Sequence, residues 1–340
     1  MTKYDVYALG NALLDIEFEV SPAILQKLGI EKGVMTLLDQ ESQDKIIGNL
    51  AQYDQKRSCG GSAANTIIAI SQFGGKAFYS CKVADDEPGQ FYTQDLVDCG
   101  VATNLASHDP ESGVTGKCLV FVTPDADRTM NTFLGISGEL SSQELVPEAI
   151  EQAKYTYIEG YLVSGENSKQ AAIQAREISH QAGNKVAFTL ADYNMVKFFK
   201  PGLIEIIGSG VDFLFANESE ALLMAETDNF EVAIDYLKTL AQGFAVTRGA
   251  AGSVIFDGTK LIEIEPFSVE AIDTVGAGDM YAGAFLYGIT NGMDYSAAGR
   301  LASLASSQIV TTLGARMKTP AVQSLLKQSA VNSQASTATA

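Results

Sequence analysis

Histidine and tryptophan are nearly missing from this chain, with two of the first and none of the second in 340 residues. His108 sits in the polar stretch SHDPESG and His180 in a helical, surface-like segment, so both read as surface residues. A histidine-rich metal site or a Ser-His-Asp hydrolase therefore has little to draw on. Cysteine is also scarce. Cys59, Cys81, Cys99 and Cys118 are too widely spaced for a CxxC metal or redox motif and read as buried, reduced thiols. Basic residues are outnumbered, 23 against 41 acidic, for a formal net charge of −18. With no local run of Lys or Arg, this excludes a nucleic-acid partner, which needs a basic stripe. No apolar run reaches the length of a membrane span, and the opening MTKYDVYALGNALLDI lacks the basic start and long apolar stretch of a signal peptide. The expectation is a cytoplasmic protein with no membrane partner. The chemistry is left to carboxylates and backbone amides, and an anion bound here would rely on Mg²⁺, peptide N–H groups or a helix N-terminus.

What is present is an apolar, glycine-punctuated chain, 46% hydrophobic with 31 glycines against 8 prolines. Val6–Gly10 reads as a buried strand. Leu13–Val20 and Gly33–Leu38 read as strands with one wet face, and Ser62–Phe73 as a helix stopped by Gly74-Gly75. Lys76–Val83 returns to strand. Gly113–Thr123 and Arg128–Leu134 form a hairpin candidate around a turn-rich TPDAD. Then apolar strands at Tyr155–Glu159, Val186–Leu190, Phe213–Ala216 and Phe244–Thr247 alternate with helical segments, the pattern of a parallel sheet covered by helices. Helices start at Ala277 and Tyr295, and SAVNSQASTATA reads as a frayed tail. The expected organisation is one α/β domain over residues 1–325, lid strands drawn from about 13–40 and 113–134, and a flexible tail over 326–340.

Two glycine clusters stand out. Asp273-Thr274-Val275-Gly276-Ala277-Gly278-Asp279 opens an apolar helix. Its glycines let backbone approach a ligand and leave first-turn N–H groups free to cradle an anion, with Asp279 beside them to accept a proton. The same residues could also simply shape a strand-to-helix turn capped by Asp279. Gly60 and Gly61, in SCGGSAAN, precede a second helix in which Asn65 offers both a donor and an acceptor. Asn11 and Asp15 follow the first strand. Neither GxGxxG after that strand nor GxxxxGK[ST] is present, which excludes a dinucleotide-dependent dehydrogenase and a classical P-loop NTPase.

GGSAANTIIAISQFGGKAFYSCKVADDEPGQ and DTVGAGDMYAGAFLYGI together resemble the two signatures of the ribokinase-like (PfkB) carbohydrate kinases, in the right order and at the right separation. The resemblance implies an extended, largely parallel sheet flanked by helices under a small β-sheet lid. It implies an ATP-dependent kinase acting on a hydroxymethyl group. Position by position, Asp279 matches the base, and Gly276, Ala277 and Gly278 match the anion hole. Asn11, Asp15, Gly60, Gly61 and Asn65 match substrate positions. Asn217 and Glu220 match an Asn-x-x-Glu element that organises Mg²⁺ through water, while Thr247, Arg248, Gly249 and Gly252 match the segment on the nucleotide phosphates. A monovalent cation such as K⁺ near Asp273 and a homodimer through the lid are further implications of the same resemblance.

Gly10–Ile16 and Asn217–Ala221 resemble the adenosine kinase branch of that family, where Arg128 matches a substrate-side arginine. Phe121, Phe133, Tyr161 and Met195 are candidates for an apolar slot holding a base. The CGGSAANT segment looks more like a general sugar-kinase version, so ribose, fructose or a keto-deoxy sugar acid stay open as acceptors beside adenosine. A non-catalytic sugar or nucleoside sensor on this fold would be expected to have lost the base or the glycine turn, and both are here.

Overall fold

The computed structural model describes residues 2–33, 35–106, 111–124 and 128–337, and its strands, numbered in chain order, form two sheets. The larger holds β1 (Tyr4–Leu9), β5 (Ala77–Ser80), β6 (Ala102–Thr103), β9 (Ala153–Glu159) and β10 (Lys185–Thr189). It is completed by β11 (Val211–Asn217), β12 (Ala241–Thr247), β13 (Ser253–Phe256) and β14 (Leu261–Ile264), in the spatial order β14-β13-β12-β11-β10-β9-β1-β5-β6. From β12 to β6 every pairing is parallel, while β13 and β14 close one edge as an antiparallel ribbon. Helices cover both faces, so the strands are buried on both sides and read as continuous apolar runs rather than alternations. In β1, Val6 and Ala8 enter one core while Tyr7 and Leu9 enter the other.

The smaller sheet runs β3-β8-β7-β2-β4, with β2 at Leu13–Glu19, β3 at Met35–Leu37, β4 at Gln55–Gly60, β7 at Lys117–Val122 and β8 at Arg128–Phe133. Here the period-two pattern decides the faces. Leu14, Ile16 and Phe18 of β2 join Leu119 and Phe121 in a satellite core closed by Leu25 from the helix Pro22–Leu28 and by Leu50, just past the end of the helix Gln40–Asn49. Phe18 stacks on Phe121 at 5.9 Å between centroids. Burying side chains of this size is worth about 1.5–3 kcal/mol each, which holds the opposite, polar face of β2 toward the main sheet.

This is the expected fold class, a mostly parallel sheet with flanking helices and a second, smaller sheet. Two details differ from the sequence reading. The lid takes a fifth strand, β4, which pairs antiparallel with β2 although QKRSCG carries no apolar run. The final helix, Thr319–Thr337, runs into the segment read as a frayed tail. His108 and residues 125–127 of the hairpin turn lie outside the described residues. The cysteines are all free, with Cys59, Cys81 and Cys118 buried and Cys99 half-buried. Among the described residues no helix is long and apolar enough to cross a membrane.

Candidate active site

Ligand sites in open parallel sheets form at the carboxyl ends of the strands, and the chain builds a cavity of about 430 Å³ there. Asn11 follows β1, Glu159 ends β9, Thr189 ends β10, Asn217 ends β11 and Thr247 ends β12, and all five line it. The lid supplies the facing wall through Asp15, Met35, Leu37 and Met130. Gly61 and Asn65 line it from the first glycine cluster, and Gly276, Gly278 and Asp279 from the second. A second cavity of about 510 Å³ shares Thr247, Gly278 and Tyr281 with the first and is walled by Gly249, Gly252, Phe267, Val269, Ala277 and Val310. The two spaces therefore meet at the Gly276–Gly278 turn.

Asp279 is the third residue of the helix Ala277–Thr290. Its Oδ1 accepts a 2.6 Å hydrogen bond from Ser62 Oγ and its Oδ2 accepts from Asn65 Nδ2 at 3.0 Å. Burial pushes its carboxyl up to about 6, and those two hydrogen bonds hold it from rising further. Such a group is ionised at neutral pH yet basic enough to take a proton. Asn65 Oδ1 is buried without a hydrogen-bond partner among the described residues. A buried acceptor left open costs free energy unless a donor completes it.

Gly276 adopts the left-handed conformation at φ +76°, and a Cβ there would lie 2.6 Å from the Ala315 carbonyl oxygen. Only glycine makes this turn at this depth. The N–H groups of Gly276, Gly278 and Asp279 meet no protein acceptor among the described residues, whereas Ala277 N donates to Thr274 O at 3.2 Å. The turn thus presents three open donors, of which Ala277 is not one. Gly60 and Gly61 also make room. A Cβ on Gly60 would stand 2.1 Å from the Asp15 carboxylate, and one on Gly61 would stand 2.2 Å from Asn11 O.

Three further carboxylates face the first cavity. Burial pushes Asp15 up to about 7, opposed by the nearby Arg316 and Arg128 charges. Glu159, also pushed up to about 7 by burial, accepts from Asn11 N at 2.6 Å and Ala63 N at 2.8 Å. Sequence reasoning missed it, because a terminal acid on an apolar strand looks like the start of the next helix. Its one signal is Gly10, whose absent side chain leaves the space the Glu159 carboxylate fills. Glu220 is raised to about 7 by burial, and Asn217 holds both of its oxygens, through its N–H at 3.0 Å and Nδ2 at 2.7 Å, in a capping box that opens the helix Glu218–Met224. Among the described residues no cluster of three ligating side chains could hold a metal directly.

Two of the arginines named from the sequence line neither cavity. Arg248 stacks over Phe230 at 4.5 Å and meets Glu218 at 3.2 Å, outside both cavity walls. Arg128 is held by Glu17 and Asp273 and does not line the acceptor cavity. Charge explains both, since an acidic chain offers its few cations carboxylate partners close by. Of the proposed base-slot residues, Tyr161 and Met195 line the cavity, while Phe121 is spent in the lid core and Phe133 is not in the wall. His180 lies on the surface near Asp212.

Comparison with known proteins agrees with this geometry. Residues 38–322 match the profile described as pfkB family carbohydrate kinase. The chain is 27% identical to a 5-dehydro-2-deoxygluconokinase of Clostridium tetani, over 78% of this chain and 82% of the relative. It is 25% identical to an adenosine kinase of Schizophyllum commune, over 96% of this chain and all of the relative. Among solved structures, a probable sugar kinase from Rhizobium etli superimposes with a TM-score of 0.88 at 33% identity, covering 97% of this chain and 99% of that one. An adenosine kinase from Sinorhizobium meliloti gives 0.86 at 34% identity, covering 96% and 99%.

Proposed function

Because the chain belongs to the pfkB family of carbohydrate kinases and acts as an ATP-dependent sugar or nucleoside kinase, we propose that its acceptor is a nucleoside, adenosine first, phosphorylated at a hydroxymethyl oxygen. One observation carries this reading. Among the described residues the acceptor cavity has no Lys, Arg or His in its wall, four carboxylates on its polar side, and Leu13, Met35, Leu37, Met130, Tyr161 and Met195 on the other. An acidic sugar would meet repulsion there, because the nearby Arg128 and Arg316 stand behind the wall, paired with carboxylates of their own. A small neutral sugar would satisfy Asp15 and Asn65 but leave the methionine and leucine wall wet, and Leu37 is already 61% exposed. A purine or pyrimidine base covers that wall while its ribose meets the polar side. The relatives named adenosine kinase also match more of this chain than the 5-dehydro-2-deoxygluconokinase does.

In this reading Asn65 Oδ1 and Asp15 orient the acceptor hydroxyls, and Asp279 takes the proton of the attacking one. The open N–H groups of Gly276, Gly278 and Asp279 stabilise negative charge developing opposite that oxygen. The second cavity, apolar at Phe267, Val269 and Val310 and glycine-lined at Gly249 and Gly252, fits a nucleotide. ATP, when bound, supplies the phosphoryl group. Mg²⁺ would be carried by phosphate oxygens, with Glu220 acting on it through water because Asn217 occupies its own oxygens. The lid shields the reacting atoms from water. A panel of adenosine, other nucleosides, ribose, fructose and a keto-deoxy sugar acid with Mg-ATP tests the assignment. The highest kcat/KM is expected with a nucleoside. A sugar acid turned over faster than every nucleoside overturns it.

A further inference from the structure

Arg128 begins β8, and its side chain is 8% exposed, between the lid and the main sheet. Its guanidinium meets two carboxylates, Glu17 of β2 at 3.3 Å and Asp273. Glu17 stands on the lid, whereas Asp273 belongs to the main body, three residues before Gly276. Asp273 does more than pair with arginine. Its Oδ1 accepts from Val275 N at 3.1 Å, and its Oδ2 accepts from Gly314 N at 2.7 Å. Val275 leads directly into Gly276, and Gly314 leads into Ala315, whose backbone is what a Cβ on Gly276 would strike. One carboxylate therefore grips both stretches of chain that shape the anion turn.

We infer that Arg128 is a positioning residue for the anion turn: it acts through Asp273, and it joins the seating of the lid to the aim of the Gly276 and Gly278 N–H groups. Two carboxylates this well buried repel each other unless a cation lies between them. The planar guanidinium supplies that charge and can face both at once. Without it, Asp273 loses its partner and turns from its place, and the Val275 and Gly314 backbone loosens with it. The inference rests on the proposed reading of the turn as the holder of the outer phosphate and stands whichever acceptor the cavity takes. It also differs from a substrate-side role for Arg128, which would be felt by the acceptor instead.

Binding isolates the effect without turnover. Dissociation constants for ADP and for AMP-PNP, both with Mg²⁺, are measured calorimetrically on the full chain and on Arg128→Gln. The outer phosphate is the group the turn holds, so Arg128→Gln should weaken AMP-PNP about tenfold, the loss of one charge-assisted contact, while ADP binding stays within about twofold of wild type. Glu17→Gln should move the ratio in the same direction by less. Thermal melting checks the fold. If Arg128→Gln does not fold, Arg128→Lys carries the test, with several-fold weaker AMP-PNP binding expected because the shorter lysine does not reach the position from which Nη2 meets both carboxylates. An AMP-PNP to ADP ratio unchanged in the folded variant overturns the inference. So does an unchanged ratio accompanied by a raised KM for adenosine, which would make Arg128 an acceptor contact.

Discussion

Asn65 donates its side-chain N–H to Asp279 at 3.0 Å while its own carbonyl oxygen, buried at the cavity wall, has no partner among the described residues. One side chain thus presents the proposed base on one side and an empty acceptor on the other. A hydroxyl that bonds to Asn65 Oδ1 is brought beside Asp279 by the same residue. Asn65→Leu removes both contacts, so KM for the acceptor should rise about 10- to 100-fold, with nucleotide affinity unchanged. Steady-state kinetics with varied acceptor, together with calorimetry on ADP, would check both halves.

The pH profile follows from Asp279. Burial raises its carboxyl from 3.8 to about 6, and only the ionised form can accept a proton. On the acid side kcat/KM should therefore fall below about pH 6, by about tenfold per unit once fully on the limb. Ser62 and Asn65 donate to the ionised form and pull the value down, so Ser62→Ala should move the limb to higher pH. A limb near pH 4 in the wild type, or one that Ser62→Ala leaves in place, would contradict the assignment.

Glu159 predicts a different pH dependence, in stability. Its folded value, about 7, lies above its ordinary 4.5 because burial favours the protonated form. The folded state then binds the proton more tightly than the unfolded chain, so its contribution is fully present below about 4.5 and is lost as pH rises through about 7. Glu159→Gln has no proton to lose. Melting temperatures of the ligand-free variant should decline less between pH 5 and 8 than those of wild type, whatever the absolute offset.

The two glycines of the anion turn separate folding from function. A Cβ on Gly276 would strike Ala315 in a left-handed backbone, whereas one on Gly278 meets nothing in the protein. Gly276→Ala should cost about 1–3 kcal/mol of stability and lower turnover. Gly278→Ala should melt like wild type and still lower turnover by about tenfold or more, because the new methyl stands where a phosphoryl group approaches. Thermal melting and kcat measured on both variants make the comparison.

Much of this was legible in the sequence because the parallel strands are buried on both faces and announce themselves as apolar runs. Both glycine clusters fall at the starts of helices, where their spacing carries meaning. β4 was not legible, since its residues are polar and its place in the lid comes from pairing with β2. Glu159 was hidden because its partners, the Asn11 and Ala63 amides, lie 148 and 96 residues away. Arg128 and Arg248 matched phosphate or substrate positions by local context, yet their surroundings are set by carboxylates distant in sequence or on another strand. Residue type and spacing disclose a backbone cradle well. They disclose poorly which charge a side chain will choose.

The decisive measurement is turnover of Asp279→Asn with Mg-ATP and the preferred acceptor. The amide keeps the hydrogen-bonding size of the carboxylate but cannot accept the hydroxyl proton. The account expects kcat to fall by about three orders of magnitude or more with ADP affinity intact. A variant that keeps a near-normal rate would mean that another group removes the proton and that the turn and its aspartate are not the reaction centre.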